Sequence, residues 1–447
     1  MGDSLHPLRG PRRLVTSMPS GSPRRVAVVG AGMVGLSTAW FLQEHGIDVT
    51  LLERDDVAAG SSWGNAGWLT PGTTAPLPEP AVLAQGVRAL LSPSSPVVVP
   101  RRPCIGLLRF LTGFARHSTR RQWQAGMSAY LPLNALALEA FDRLAQGGVQ
   151  EHAQEADPFL ACYRTTAERG VLLDELEQIA AAGQDVKFEA ITGDEARRDE
   201  PVLSAAVGAA IRIHGQRYIH PPRFMDALAD SFRTRGGQIL TGVTVTHLRD
   251  EGAAVAVADT TGTLHHFDAV VVANGAELGD LVNPFGVRHR VQAGRGYSFT
   301  VEEAQHLPAG PVYFPRQRIA CTPLRSSTGH RLRVAGMMEF QSPSAPLDPR
   351  RIEVMVAALA PLTDGLDLHD RHDEWVGSRP CTIDGLPLVG ATRSKRVFVA
   401  GGHGMWGIVL GPVTGRLLAQ LVTTGDLDPA LRPFDPTRWS GFSSRSG

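Results

Sequence analysis

Hydrophobic and polar positions change period several times along the chain, and each change marks an element. Val26-Ala27-Val28-Val29 is an unbroken apolar run, the length of a buried parallel strand. Leu36, Ala39, Trp40 and Leu42 then recur at helical spacing, Gly46 supplies a C-cap, and Ile47 to Leu52 forms a second strand ending on Glu53. Further on, Arg121 to Leu144, Glu168 to Ala181, Asp194 to Glu200, a segment from Pro221-Pro222 to Arg235, and Arg350 to Leu359 read as helices. Strand character recurs at Phe159 to Thr165, Val207 to Ile213, Gln238 to Leu240, Val243 to Leu248, Val291 to Val301 and Arg331 to Phe340. Ala253 to Ala258 and Thr263 to Phe267 form a hairpin around Thr261-Gly262, and Ala269 to Ala273 is a buried strand opening into Asn274-Gly275-Ala276. Thr70 to Pro80 and Leu91 to Pro103 are proline-rich connectors.

Between the first strand and its helix lies Gly30-Ala31-Gly32-Met33-Val34-Gly35. The first glycine of this G-x-G-x-x-G spacing permits a tight turn, the second admits a pyrophosphate, and the third lets helix pack on strand. The free N–H groups of the helix start attract phosphate. Glu53 lies about 20 residues beyond, where a carboxylate accepts ribose hydroxyls. Such a glycine loop alone is weak evidence. With both strands, the helix and the acid in register, the stretch predicts a dinucleotide site. Gly402-His403-Gly404-Met405-Trp406-Gly407 repeats the spacing after the strand Arg396 to Ala400. No strand with a terminal acid follows it, so it reads as the closing strand-turn-helix of the first domain, with a plain glycine turn as the alternative. Pro412 is tolerable only in the first turn of that helix, which runs to about Leu421.

Composition narrows the class. The 447 residues suffice for more than one core, and 44 basic against 44 acidic residues give no net charge, which disfavours a nucleic-acid partner. Cys104, Cys162, Cys321 and Cys381 are scattered without a C-x-x-C pair, so a reducing, cytoplasmic setting is expected, with neither a disulfide framework nor a metal site. Arg24-Arg25 before an uncharged run to Gln43 mimics a twin-arginine signal or a membrane span; the fingerprint glycines inside it argue against both. Residues 1–23 lack apolar periodicity and are expected to be a disordered extension, in which Met18 could serve as the start. The small-residue loop Ala58 to Gly67 lets backbone pass close to a ligand or to another segment.

Several motifs occur together and in order: Gly64-Asn65-Ala66-Gly67 with Pro71-Gly72, Arg295-Gly296-Tyr297-Ser298, Arg333-Val334-Ala335-Gly336-Met337, the run Gly377 to Pro387, and Gly402-His403-Gly404. With the fingerprint they resemble FAD-dependent amine oxidoreductases of the glycine oxidase/D-amino acid oxidase superfamily, nearest to the small subunits of bacterial D-amino acid dehydrogenases, over about residues 24 to 430. The fold expected is α/β in two domains, a Rossmann-like FAD-binding domain interleaved with an antiparallel-sheet substrate domain. Residues 24–72, 215–285 and 375–435 fall to the first domain, and 73–214 with 286–374 to the second. The resemblance implies noncovalent FAD, with Gly30, Gly32 and Gly35 on the pyrophosphate, Glu53 on the ribose, Val245 beside the adenine, and Gly402, His403 and Gly404 at the flavin ring. Met33, Val34, Arg54, Ser61, Asn65, Ala66, Gly67, Ala273, Gly275 and Met405 complete the expected cofactor contacts. Cys381 does not fall where relatives that link the flavin covalently place their cysteine.

The implied reaction is oxidation of the Cα–N bond of D-amino acids. Glycine, sarcosine or cyclic imino acid oxidation is the alternative, as is a flavin-binding protein without amine oxidation. Arg379 is the expected carboxylate holder, because a guanidinium offers two parallel charge-assisted hydrogen bonds and Pro380 holds its backbone extended. Tyr297 either supports that carboxylate or packs in the core with Phe299 and Val301. His403 bonds the flavin, tunes the amine, or is a solvated turn residue. Trp63, Trp68, Tyr313 and Trp406 are pocket walls or core residues. The electron acceptor is a quinone, a dye or oxygen. Peripheral contact with the inner membrane and the oligomeric state stay open.

Overall fold

The computed structural model describes residues 22–80, 95–100, 103–288, 291–302, 307–326 and 329–439. The extension expected over 1–23 lies outside them up to residue 21, as do parts of the connector between Leu91 and Pro103.

The opening strand-helix-strand forms as the pattern predicts: Arg25–Val29, Met33–Glu44 and Asp48–Leu52, with Gly46 left-handed (φ +78°) just past the helix. These strands sit in a six-stranded sheet in the order Gln238–Leu240, Asp48–Leu52, Arg25–Val29, Ala269–Val272, Val397–Gly401, Leu388–Ala391. The first five are parallel and the last, which the sequence pattern missed, is antiparallel. Both faces are covered, which explains the unbroken apolar runs. Val26 and Val28 join a core with the helices Met33–Glu44, Pro221–Thr234 and Gly407–Thr424. Ala27 and Val29 pack instead with Leu248, Val255, Val257 and Phe267 of a three-stranded sheet.

A second sheet orders Arg371–Cys381, Gln292–Val301, Gly329–Glu339, Ile319–Ser326, Val312–Phe314, Phe159–Tyr163, Ala209–His214 and Lys187–Thr192, and Val97–Val98 joins it beside Gly329–Glu339. It is antiparallel except where Val312–Phe314 meets Phe159–Tyr163 and where Val97–Val98 joins.

Two segments depart from the expected partition. Arg371–Cys381 pairs with Gln292–Val301, so residues from 375 onward enter the second sheet before the chain returns to the first. The helix Arg120–Gln146 packs Tyr130, Leu133, Ala137, Phe141 and Leu144 into the core of the first sheet, although residues 73–214 were expected in the other domain. Its apolar stripe finds the nearest uncovered helical surface, whichever sheet precedes it in sequence. Pro412 is also not in the first turn, because the helix begins at Gly407. The helix tolerates it in the second turn, buried against neighbours.

Candidate active site

A cavity of about 1100 Å³ runs from the glycine loop of the first sheet to the face of the second. At the first end Gly30 has φ +106°, and a Cβ there would lie 2.6 Å from the Ala273 carbonyl. A Cβ on Gly35 would lie 1.9 Å from the Gly30 carbonyl, so this glycine is a packing requirement and does not line the cavity. Gly32 caps the helix without a side-chain bond, no acid stands in its first turn, and Met33 N–H donates to Ser62 Oγ at 3.0 Å. The positive end of this helix therefore faces the cavity beside Gly32, Met33 and Val34.

Glu53 accepts from Ala31 N–H at 2.7 Å and Asp55 N–H at 2.9 Å, one through each carboxylate oxygen. Each oxygen retains a lone pair for a hydroxyl. Val245, Ala273 and Gly275 line the same end, as does Arg54, which pairs with Glu277 and, at 3.0 Å, with Asp55.

The small-residue loop serves both a cavity and a neighbouring segment. Ser61, Asn65 and Ala66 line the cavity, while a Cβ on Gly64 would overlap the Trp375 ring at 2.1 Å. Gly67 makes the turn (φ +79°) with Asn65 Oδ1 accepting its N–H at 2.9 Å, and does not reach the cavity.

At the other end Arg379 lies opposite Gly294 on the strand pair Gln292–Val301 and Arg371–Cys381. Glycines leave this face bare: a Cβ on Gly296 would lie 2.2 Å from the Arg379 guanidinium. Nη1 donates to the Met337 carbonyl at 2.7 Å, and among the described residues no carboxylate pairs with Arg379. Burial lowers its pKa from the ordinary arginine value. A half-buried cation whose remaining N–H groups face a cavity is a receptor for an anion.

Tyr297 is on the opposite face. Its hydroxyl donates to Glu339 at 2.6 Å, within a buried set in which Glu339 also meets Arg295 and Arg351, each at 3.2 Å. Burial and that carboxylate push the phenol up to about 12. Tyr297 borders the cavity, but its side chain packs with Phe299 and Val301, the core alternative for this residue, and its hydroxyl is taken up by Glu339, because alternation turns all three side chains away from the glycine face.

Tyr313 stands on the cavity wall instead, edge-on to Trp68 at 5.3 Å, and its hydroxyl bonds to none of the described residues. Trp406 is also on the wall, donating to the Ala75 carbonyl at 2.8 Å. Trp63 is not, and stacks on the buried Arg333 guanidinium at 5.0 Å.

His403 is 2% exposed, so it is not a solvated turn residue. Its Nε2 meets Thr414 Oγ1 at 3.0 Å, its Nδ1 has no protein partner, and burial depresses it to about 3, leaving a neutral ring. Gly404 and Met405 line the cavity beside it; Gly402 (φ +72°) lies behind the turn, where a Cβ would meet Thr382 at 2.8 Å. Gly404 N–H donates to the Pro380 carbonyl at 2.9 Å. Cys381 is buried behind Gly294, outside the cavity lining, and burial pushes its thiol up to about 11, well above the thiolate range.

Glu79, Glu175 and Arg318 also line the cavity, and sequence reasoning missed them. The available signal was the spacing of Glu168, Leu172 and Glu175 on one face of the helix Thr166–Ala181, which reads equally as a solvated stripe.

A helix start facing the cavity with no acid in its first turn, a carboxylate with free lone pairs, a glycine turn and the orphaned His403 Nδ1 together fit a dinucleotide carrying a polar aromatic ring system. Among the described residues no cluster of metal-ligating side chains occurs, and no helix is long and apolar enough to cross a membrane. Comparison with known proteins agrees with the geometry. A D-amino acid dehydrogenase of Cereibacter sphaeroides is 30% identical over 404 residues, covering 89% of this chain and 91% of its own. The crystal structure of glycine oxidase from Geobacillus kaustophilus superposes with a TM-score of 0.70 at 23% identity, covering 93% of this chain and 99% of its own. L-alpha-glycerophosphate oxidase from Mycoplasma pneumoniae, solved with FAD bound, gives a TM-score of 0.68 at 17% identity, covering 89% and 94%. Residues 25–421 match the sequence profile of the FAD dependent oxidoreductase (DAO) family, and the chain belongs to that family.

Proposed function

We propose that this FAD-dependent oxidoreductase oxidises the Cα–N bond of D-amino acids, with the α-carboxylate held by Arg379. The observation that carries this reading is the Arg379 guanidinium at Gly296, without a carboxylate partner among the described residues, beside a Tyr313 hydroxyl that bonds to none of them. The D-configuration rests on the relative at 30% identity. FAD, when bound, would supply the two-electron acceptor for the Cα hydride, and water would hydrolyse the resulting imino acid to a 2-oxo acid and ammonia.

The protein's part is placement. Arg379 offers the carboxylate its remaining N–H donors while Nη1 stays anchored on Met337. Tyr313 adds a neutral hydroxyl donor from the adjoining wall. His403, uncharged at working pH, presents one nitrogen to the ring of the cofactor without adding a charge. Gly32, the first helical turn and Glu53 hold the pyrophosphate and ribose.

Anaerobic mixing of the holoenzyme with D- and L-amino acids tests the reading. The flavin should bleach with D-amino acids and stay oxidised with their L-enantiomers. Arg379→Leu should lower kcat/KM by about 2–5 kcal/mol, as for truncating one member of a buried charge pair. Near-normal kcat/KM in that variant, with FAD retained, would remove Arg379 from the site. Peroxide formation on re-oxidation distinguishes an oxidase from a dehydrogenase using a quinone or dye.

A further inference from the structure

The wall of the cavity beyond Tyr313 carries charge that the proposed chemistry does not use. Glu175 projects from the helix Thr166–Ala181 and Glu79 from the chain after the turn Pro71–Thr73; both line the cavity and both are half-buried. Neither carboxylate accepts a hydrogen bond from any described residue. Among the described residues their cationic neighbour is Arg318, at the turn before Ile319–Ser326, which also lies within electrostatic reach of Tyr313 and Arg379. At the mouth, Arg316 and Glu168 stand 4.0 Å apart and offset each other. Counted over the described residues, two carboxylates against one guanidinium leave this wall with an excess of negative charge, and neither acid finds there the donors that half-buried carboxylates require.

We propose that Glu79 and Glu175 form the side-chain subsite of the same active site and take the ammonium or guanidinium of a dibasic D-amino acid. The proposal rests on the reading that Arg379 holds the α-carboxylate: a cationic side chain pointing away from Arg379 would bring the missing donors to this wall. Substrate charge is then matched at both ends, anion on Arg379 and cation on the acid pair, with the side chain's methylenes passing Tyr313 and Leu172. Discrimination between cationic and neutral side chains should also depend on pH. Burial, with Glu79 adding and Arg318 subtracting, pushes Glu175 up to about 7. The groups facing it are Glu79, Arg318, Glu168, Tyr163 and Tyr313, and of these both tyrosines are raised above their ordinary values and stay protonated. As pH rises through 7 Glu175 loses its proton, so preference for a cation strengthens; as pH falls it weakens.

The test compares D-arginine with D-citrulline, and D-lysine with D-norleucine, by anaerobic flavin reduction in the holoenzyme between pH 6 and 8.5. Each pair shares its α-centre, so the ratio of kcat/KM within a pair isolates the distal charge. At pH 8 the cationic member should be favoured by tenfold or more, and the ratio should fall severalfold at pH 6. Glu175→Gln and Glu79→Gln, checked for bound FAD and an unchanged melting temperature, should each cut the ratio by tenfold or more. Flavin reduction by the neutral members as fast as by the cationic ones in the wild type would overturn the subsite while leaving D-amino acid oxidation standing. If no D-amino acid reduces the flavin, it is the underlying reading that fails.

Discussion

Tyr297 and Tyr313 make opposite use of the same side chain. The Tyr297 hydroxyl is spent on Glu339, which two arginines also contact, whereas the Tyr313 hydroxyl is offered to the cavity. Tyr297→Phe should therefore cost about 1–3 kcal/mol of folding stability, by leaving a buried acceptor short of a donor, with kcat/KM little altered. Tyr313→Phe should reverse the pattern, raising KM about tenfold with an unmoved melting temperature, since a hydrogen bond to a charged group contributes about 1.5–3 kcal/mol. Denaturant melts and steady-state kinetics on the two variants check both statements. Alternation along Tyr297, Phe299 and Val301 left the first tyrosine open between carboxylate support and the core. What the sequence does not carry is which of the two faces of that strand meets the cavity, because this depends on Gly296 leaving room for a guanidinium from the next strand.

Elements built from one continuous pattern were legible: the opening strand-helix-strand, the strand Ala269–Val272, and the closing strand and helix. Arg371–Cys381 was not. It mixes histidine, acids, glycine and proline, and its strand state is imposed by pairing with Gln292–Val301. The closing helix shows a different dependence on context. Gly411 and Gly415 face the helix Met33–Glu44, where a Cβ would meet Met33 Cγ at 2.7 Å and Thr38 N at 2.6 Å. Thr38 N is backbone and cannot swing aside, so Gly415→Ala should destabilise by about 1–3 kcal/mol as overpacking. The same shift displaces the helix that begins just past Gly404, so retention of FAD through gel filtration should fall alongside the melting temperature.

At the scale of the whole molecule, the cavity collects residues from distant stretches of chain: Gly32, Glu53, Val245, Tyr313, Arg379 and Gly404. A ligand bridging them couples the folding of the parts. Free FAD at about 100 times its Kd should stabilise the apoprotein by about 2.7 kcal/mol, and a melting curve unmoved by bound FAD would contradict the placement. The interleaving of a cofactor sheet with a larger, mostly antiparallel one was readable from the order of motifs. The exchange of Arg120–Gln146 and Arg371–Cys381 across the expected boundaries was not, because packing chooses partners by surface and not by sequence distance.

The hydrogen bond from Gly404 to the Pro380 carbonyl ties the end of the strand Arg371–Cys381 in one sheet to the glycine corner of the other. The residue next to that carbonyl is Arg379, so the anchor for the acid group and the corner proposed for the flavin ring form a single bracket. If the two sheets rock against each other as substrate enters, the opening can widen at the acidic wall while the reacting ends keep their spacing. Bulk at the side chain would then be accommodated by movement, and position at the α-carbon would not.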